Sequence, residues 1–139
     1  MDSNYDLERF VQAQAPVYAN VVNELRAGRK QSHWMWFIFP QIAGLGRSEM
    51  AQRYAIANDD EAADYLAHPV LGARLRECAG IVAALDESDA NAIFGAPDDM
   101  KFRSSMTLFA DTAPDEAVFQ ACIDKYFDGE PDPETLARL

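Results

Sequence analysis

His33 is the residue of the aromatic segment 32–41 that can carry acid–base chemistry. The segment reads Ser-His-Trp-Met-Trp-Phe-Ile-Phe-Pro-Gln and holds both tryptophans of the chain. A histidine beside tryptophans can act as an acid, a base or a hydrogen-bond donor. The indole rings of Trp34 and Trp36 can stack on a flat ligand, and Gln41 adds an amide. We therefore take His33 as the candidate catalytic residue and the other three as candidate ligand-binding residues.

The same segment also fits a hydrophobic core. Its apolar run is much shorter than the about 20 residues that span a bilayer, so it must be buried in protein. No nearby carboxylate is positioned to orient His33, and core histidines commonly bond to the backbone. Tryptophans are mostly buried in any fold. The second histidine, His68, precedes Pro69 at a helix joint and is interpreted as a structural cap or surface residue.

A second segment, residues 101–107, concentrates basic and hydroxyl side chains in an acidic chain. On a helix, Lys101, Ser104 and Ser105 share one face beside an apolar stripe. Lysine beside small hydroxyls can line a pocket that accepts an anion. The candidate ligand-binding residues of this segment are Lys101, Arg103, Ser104 and Ser105. The alternative is that both basic residues pair with the acids at 98–99, and that the serines permit close packing.

No motif of the chain specifies a cofactor or a metal. The loop at residues 44–48 contains two glycines before a helix, but it lacks the third glycine of the dinucleotide fingerprint and the Gly-Lys-Ser/Thr of the phosphate loop. Its glycines are interpreted as ordinary turn residues. Two histidines and two distant cysteines give no metal-ligand spacing. We expect no cofactor and no metal.

The charge balance limits the partners. With 12 basic and 23 acidic residues the net charge is −11, which repels nucleic acid and anionic lipid. We expect neither nucleic acid nor membrane as a partner. The acidic, polar start does not resemble a secretory signal, so Cys78 and Cys122 are expected to be reduced and buried, and the protein to be cytoplasmic. The oligomeric state is left open.

Helical periodicity covers nearly every segment of the chain. It predicts an all-α fold: a single compact domain over residues 1–139, with about seven to nine short helices, a core at about 5–128 and a C-terminal tail at 129–139. The predicted helix-capping residues are Ser3 with Asp6, Ser32, Ser48, Asn58 and Ser88. A strand is the rival interpretation of the aromatic run, but no partner strand is evident, which favours a short buried helix.

The two segments and the residues between them resemble the bacterial domain-of-unknown-function family numbered 1810. The matching stretches are residues 32–41, 44–46, 68–72, 74–75, 93–95, 98, 101 and 104–109. The resemblance extends from about Leu7 to about Phe127. It implies a small, mainly helical, single-domain cytosolic protein with an unusual helical fold. It implies no activity, cofactor or catalytic residue.

Two functions of different classes fit these residues. The first is a cytoplasmic protein that binds a small ligand between the two segments, with an enzyme on an anionic or nucleotide-like metabolite as one form of it. The alternative is a non-catalytic protein-interaction module in which both segments serve as core. A concave site where His33, Gln41, Lys101 and Ser105 converge would favour the first.

Overall fold

Ten α-helices and no strand form the part of the chain that the structure describes, residues 5–139 of a computed structural model. The helices are α1 Glu8–Gln14, α2 Tyr18–Arg26, α3 Met35–Ile38, α4 Glu49–Arg53, α5 Asp59–Ala67, α6 Leu71–Ala84, α7 Ala90–Phe94, α8 Asp98–Thr112, α9 Ala117–Phe127 and α10 Pro133–Leu136. The all-α prediction is confirmed, with one helix more than the upper end of the predicted range. The aromatic run contains a short helix, α3, rather than a strand.

Two of the predicted helix caps, Ser48 and Asn58, agree with the structure. Ser48 accepts from the amide of Ala51 at 3.1 Å, and Asn58 accepts from the amide of Glu61 at 3.0 Å. Such side chains accept hydrogen bonds from backbone amides of the first helical turn, which have no partner within the helix. The prediction for Ser88 was wrong, because the neighbouring Asp89 caps α7. The predicted cap at Ser3 lies outside the described residues.

Ser32 does not cap the aromatic helix. Its hydroxyl donates instead to the carboxylate of Glu24 at 2.6 Å, and α3 begins after Trp34. Glu24 also accepts from the amide of Gln31 at 2.7 Å and from the indole N–H of Trp34 at 3.0 Å. A side chain of α2 therefore anchors the segment that leads into α3.

The core forms around α8, which packs against α5, α7, α9 and α10. Phe102 and Phe109 of α8 are fully buried. Phe39 meets Phe102 edge to face with ring centroids 5.0 Å apart, and Phe94 stacks on Phe102 at 4.7 Å. Edge-to-face and offset pairs are the favoured aromatic geometries. The two chemically notable segments of the sequence thus meet in the centre of the molecule.

Both cysteines are free and buried, as predicted. Burial raises the pKa of each thiol to about 12. His68 accepts from the amides of Val70 at 3.1 Å and Leu71 at 3.2 Å, so its interpretation as a structural cap is confirmed. Among the described helices, none has the length and apolar character needed to cross a membrane.

The C-terminal segment 129–139 docks on α8. Arg103 donates to the carbonyl of Glu130 at 3.0 Å and to that of Pro131 at 3.1 Å. The side chains of Asp132 and Thr135 are buried. This segment therefore forms part of the surface beside the second notable segment.

Candidate functional site

Two adjoining hollows lie where the aromatic segment approaches the C-terminal segment. The inner cavity has a volume of about 130 Å³ and is lined by Trp36, Gln41, Gly46 and Tyr54, among others. The outer groove has a volume of about 280 Å³ and lies between α8 and the C-terminal segment. Gln41 and Gly46 line both hollows. The loop that follows α3 therefore separates the cavity from the groove.

An isolated parallel bridge between Ile42 and Ile56 fixes this loop. The amide of Ala43 donates to the carbonyl of Ile56 at 2.8 Å, and the amide of Ile56 donates to the carbonyl of Gln41 at 2.8 Å. Gly46 lies so close to α4 that an added Cβ would be 2.4 Å from the Cβ of Ala51. The bridge and this close approach hold Gln41 at the boundary of the two hollows.

Trp36 lines the inner cavity from α3. Its indole N–H is buried and has no hydrogen-bond partner within residues 5–139. A buried donor without a partner costs about 1–3 kcal/mol of stability. The ammonium group of Lys101 lies 5.6 Å from the centroid of the Trp36 ring, within the range of a cation–π interaction. One residue from each notable segment is thus present at this wall.

Lys101 lines the outer groove from α8. Its ammonium group is 3.6 Å from Oδ1 of Asp98, whereas Oδ2 of Asp98 is 2.9 Å from the ammonium group of Lys30. The predicted pairing of the two basic residues with the acids at 98–99 is confirmed for Lys101 and was wrong for Arg103, which binds the C-terminal segment. Asp98 makes its shorter contact with Lys30. An ammonium group has three donors, so Lys101 keeps donor capacity for the groove.

Ser104 and Asp132 join the two walls of the groove. Oδ2 of Asp132 accepts from the hydroxyls of Ser104 at 2.8 Å and Thr135 at 2.6 Å. The amide of Asp132 donates to the hydroxyl of Thr107 at 2.9 Å. Burial raises the pKa of Asp132, but the hydrogen bonds to its carboxylate outweigh burial and bring the pKa below its ordinary value. The groove therefore contains an ionised carboxylate at neutral pH.

Four of the candidate residues line the two hollows: Trp36, Gln41, Lys101 and Ser104. The other four lie elsewhere, so His33 and Ser105 do not converge with Gln41 and Lys101 in one concave site. His33 is exposed, and Trp34 is 1% exposed in the core. Arg103 is engaged by the C-terminal segment. Ser105 is fully buried, and its hydroxyl has no hydrogen-bond partner in the described part of the chain.

Residues 4–139 match the family described as protein of unknown function (DUF1810). The chain belongs to this family. The crystal structure of the conserved hypothetical protein Rv1873 from Mycobacterium tuberculosis is similar, with a TM-score of 0.97 and 52% sequence identity. The similarity covers 99% of this chain and 98% of that chain. None of the curated proteins matches the chain. The resemblance noted in the sequence is thereby confirmed.

Sequence reasoning missed Asp132 and Glu134, which complete the groove in this DUF1810 chain. Asp132 is the N-cap of the short helix α10, in the segment that was predicted only as a C-terminal tail. Nothing in the local pattern indicates that this helix docks on α8. Across residues 5–139 there is no group of three or more His, Cys, Asp or Glu side chains that could hold a metal ion. The arrangement can bind and orient a small molecule through one ammonium group, two carboxylates, an amide and an indole ring.

Proposed function

We propose that this DUF1810 protein binds a small anionic ligand, in the cytoplasm, where the inner cavity and the outer groove adjoin. Lys101 pairs with the anionic group of the ligand. The ring of Trp36 stacks on a flat part of the ligand. The side-chain amide of Gln41 hydrogen-bonds to the ligand between that flat part and the anionic group. Ser104 acts indirectly, because its hydrogen bond to Asp132 keeps the C-terminal wall of the groove in place.

The position of Gln41 carries the proposal. Gln41 lines both hollows, with Trp36 on the side of the cavity and Lys101 on the side of the groove. Its side-chain amide makes no hydrogen bond with the described residues, so it can donate and accept. Small-molecule sites are concave, largely apolar hollows of about 300–1,000 Å³ with a few convergent polar groups. The two hollows together reach the lower end of that range.

A planar anion, such as a nucleotide-like metabolite, suits the pairing of an indole ring with an ammonium group. Aromatic faces stack on flat rings, and the cation attracts the negative group. The cytoplasmic location is supported by Cys78 and Cys122, which are free and buried. Oxidising compartments favour disulfides instead.

The burial of aromatic side chains from both segments favours the alternative function, an interaction module in which both segments serve as core. Trp34, Phe39 and Phe102 are buried in the centre of the molecule, so each segment does supply core. Trp36 and Lys101 differ from these residues, because they line the hollows. The two functions therefore predict different effects on ligand binding when Trp36 or Lys101 is replaced.

A thermal-shift titration tests the proposal. Inorganic phosphate, benzoate and adenosine monophosphate are added to the wild type, to Lys101→Gln and to the control Arg29→Gln, which changes an exposed cation outside both hollows. A ligand at 100 times its Kd adds about 2.7 kcal/mol to stability, which is readily measured. We expect at least one probe to raise the Tm of the wild type and the control but not of Lys101→Gln. The proposal fails if no probe raises the Tm, or if Lys101→Gln responds like the wild type.

A further inference from the structure

The two walls of the outer groove carry opposite charges. Lys101 provides a cation from α8, and Asp132 and Glu134 provide carboxylates from the C-terminal segment. Apolar side chains of Leu45, Pro97 and Met100 line the rest of it. The groove is therefore polarised across its width.

The carboxylate of Asp132 is ionised and belongs to the lining of the groove. It accepts hydrogen bonds from the hydroxyls of Ser104 and Thr135 and from the amides of Glu134 and Thr135, and the Glu134 amide is 3.4 Å from Oδ1. Glu134 is paired with Arg138 at 3.0 Å, but its side chain is 71% exposed, and exposed pairs of this kind are weak. A cationic group in the groove can therefore contact both acids.

The ammonium group of Lys101 is similarly available on the opposite wall. Its contact with Asp98 is 3.6 Å long, and the same carboxylate already neutralises Lys30 at 2.9 Å. A carboxylate entering the groove can therefore pair with Lys101 without leaving Asp98 unpaired. A simple anion would also lie near two carboxylates, and that repulsion would reduce its affinity.

We infer that the ligand of this groove is a small zwitterion, whose carboxylate pairs with Lys101 and whose ammonium group pairs with Asp132 and Glu134. This inference rests on the proposed function, because it keeps the pairing of the ligand's anionic group with Lys101, and it adds an ammonium group to that ligand. Lys101 and Ser104 are one helical turn apart, with Cβ atoms about 5–6 Å apart, and Ser104 contacts Asp132 directly. The two charged groups of the ligand are therefore joined by a short spacer, which packs on Met100 and Pro97.

Matched probes test the inference by ¹H–¹⁵N NMR titration of the full chain. The zwitterions glycine, 4-aminobutyrate and 6-aminohexanoate are each compared with the carboxylate that lacks the amine, and 4-aminobutyrate also with butylamine. We expect at least one zwitterion to bind tenfold or more tightly than its carboxylate. Binding should shift the signals of the Trp36 indole N–H, the Gln41 amide and Lys101. The inference is overturned if every carboxylate binds as tightly as its zwitterion, or if no probe binds.

Variants separate the failure of this inference from that of the proposed function. Glu134→Gln should reduce the preference for the zwitterion and leave the affinity for the carboxylate unchanged or higher. The control Glu130→Gln removes an exposed acid of the same segment that does not line the groove, and it should preserve the preference. If carboxylates bind through Lys101 without any preference for zwitterions, only the zwitterion inference fails. If Lys101→Gln binds every probe like the wild type, the proposed function fails as well.

Discussion

The hydroxyl of Ser104 lies 2.8 Å from the carboxylate of Asp132 and ties the C-terminal segment to α8 in the buried interior. Replacing Asp132 with alanine leaves the hydroxyl of Thr135 without this acceptor as well. We expect Asp132→Ala to lower the free energy of unfolding by about 1–3 kcal/mol, the cost of buried groups left unpaired. Urea denaturation measures the loss, and the exposed Glu130→Ala is the control. Equal stabilities of the two variants would contradict this role of Asp132.

Glu24 gives a prediction about pH. Burial raises the pKa of Glu24, but the hydrogen bonds from Ser32, Gln31 and Trp34 outweigh burial. The pKa is therefore lowered from an ordinary 4.5 to about 2. A carboxyl group whose pKa is lower in the folded state stabilises the fold above its unfolded pKa, and it loses that contribution as pH falls through the folded pKa. The Tm difference between the wild type and Glu24→Gln should therefore be constant above pH 4.5 and shrink toward pH 2. A difference that stays constant down to pH 2 would refute the assignment.

The two tryptophans should respond differently to phenylalanine. The indole N–H of Trp34 donates to Glu24 at 3.0 Å, and this hydrogen bond to a charged group is worth about 1.5–3 kcal/mol. Trp36→Phe removes a donor that has no partner among the described residues. We expect Trp34→Phe to cost at least about 1 kcal/mol more than Trp36→Phe in chemical denaturation. Equal losses would indicate that both side chains serve the core in the same way.

Two glycines of α6 form a matched pair for a stability test. A Cβ added to Gly72 would be 2.1 Å from the carbonyl oxygen of Leu66, whereas a Cβ added to Gly80 meets nothing within 4 Å. Gly80→Ala should stabilise the protein by about 0.5–1 kcal/mol, because alanine is favoured over glycine within a helix. Gly72→Ala should destabilise the protein, because the backbone at Leu66 must move away from the added Cβ. Thermal denaturation of both variants tests this, and a lower Tm for Gly80→Ala than for Gly72→Ala would contradict the packing of α5 on α6.

Local sequence rules predicted helices well and their tertiary anchors poorly. Asn58 and Ser48 were predictable caps because they bond to amides three residues ahead. Ser32 has the same local appearance, but its hydroxyl bonds to Glu24, which lies in another helix. The docking of Asp132 depends on Ser104, 28 positions earlier in the chain. No periodic or capping pattern encodes a contact of that kind.

The candidate site could be predicted only by residue type. Trp34 precedes α3 and is buried in the core, whereas Trp36 lies within α3 and lines the cavity. The residue type is the same, so the sequence does not say which tryptophan enters the core. His33 is exposed just before α3. The acid–base chemistry that a histidine can perform gave no indication of that position.

The bridge between Ile42 and Ile56 closes the intervening stretch of chain at its base. Apart from Trp36, Gln41 and Ile42, every residue that lines the inner cavity belongs to that stretch, including Gly44 and Tyr54. One continuous stretch of chain, with its two ends held together, thus makes most of the cavity wall. Tyr54 joins that stretch to the core through its ring contacts with Phe10 and Phe37, so the shape of the cavity and the packing of the core depend on the same side chain.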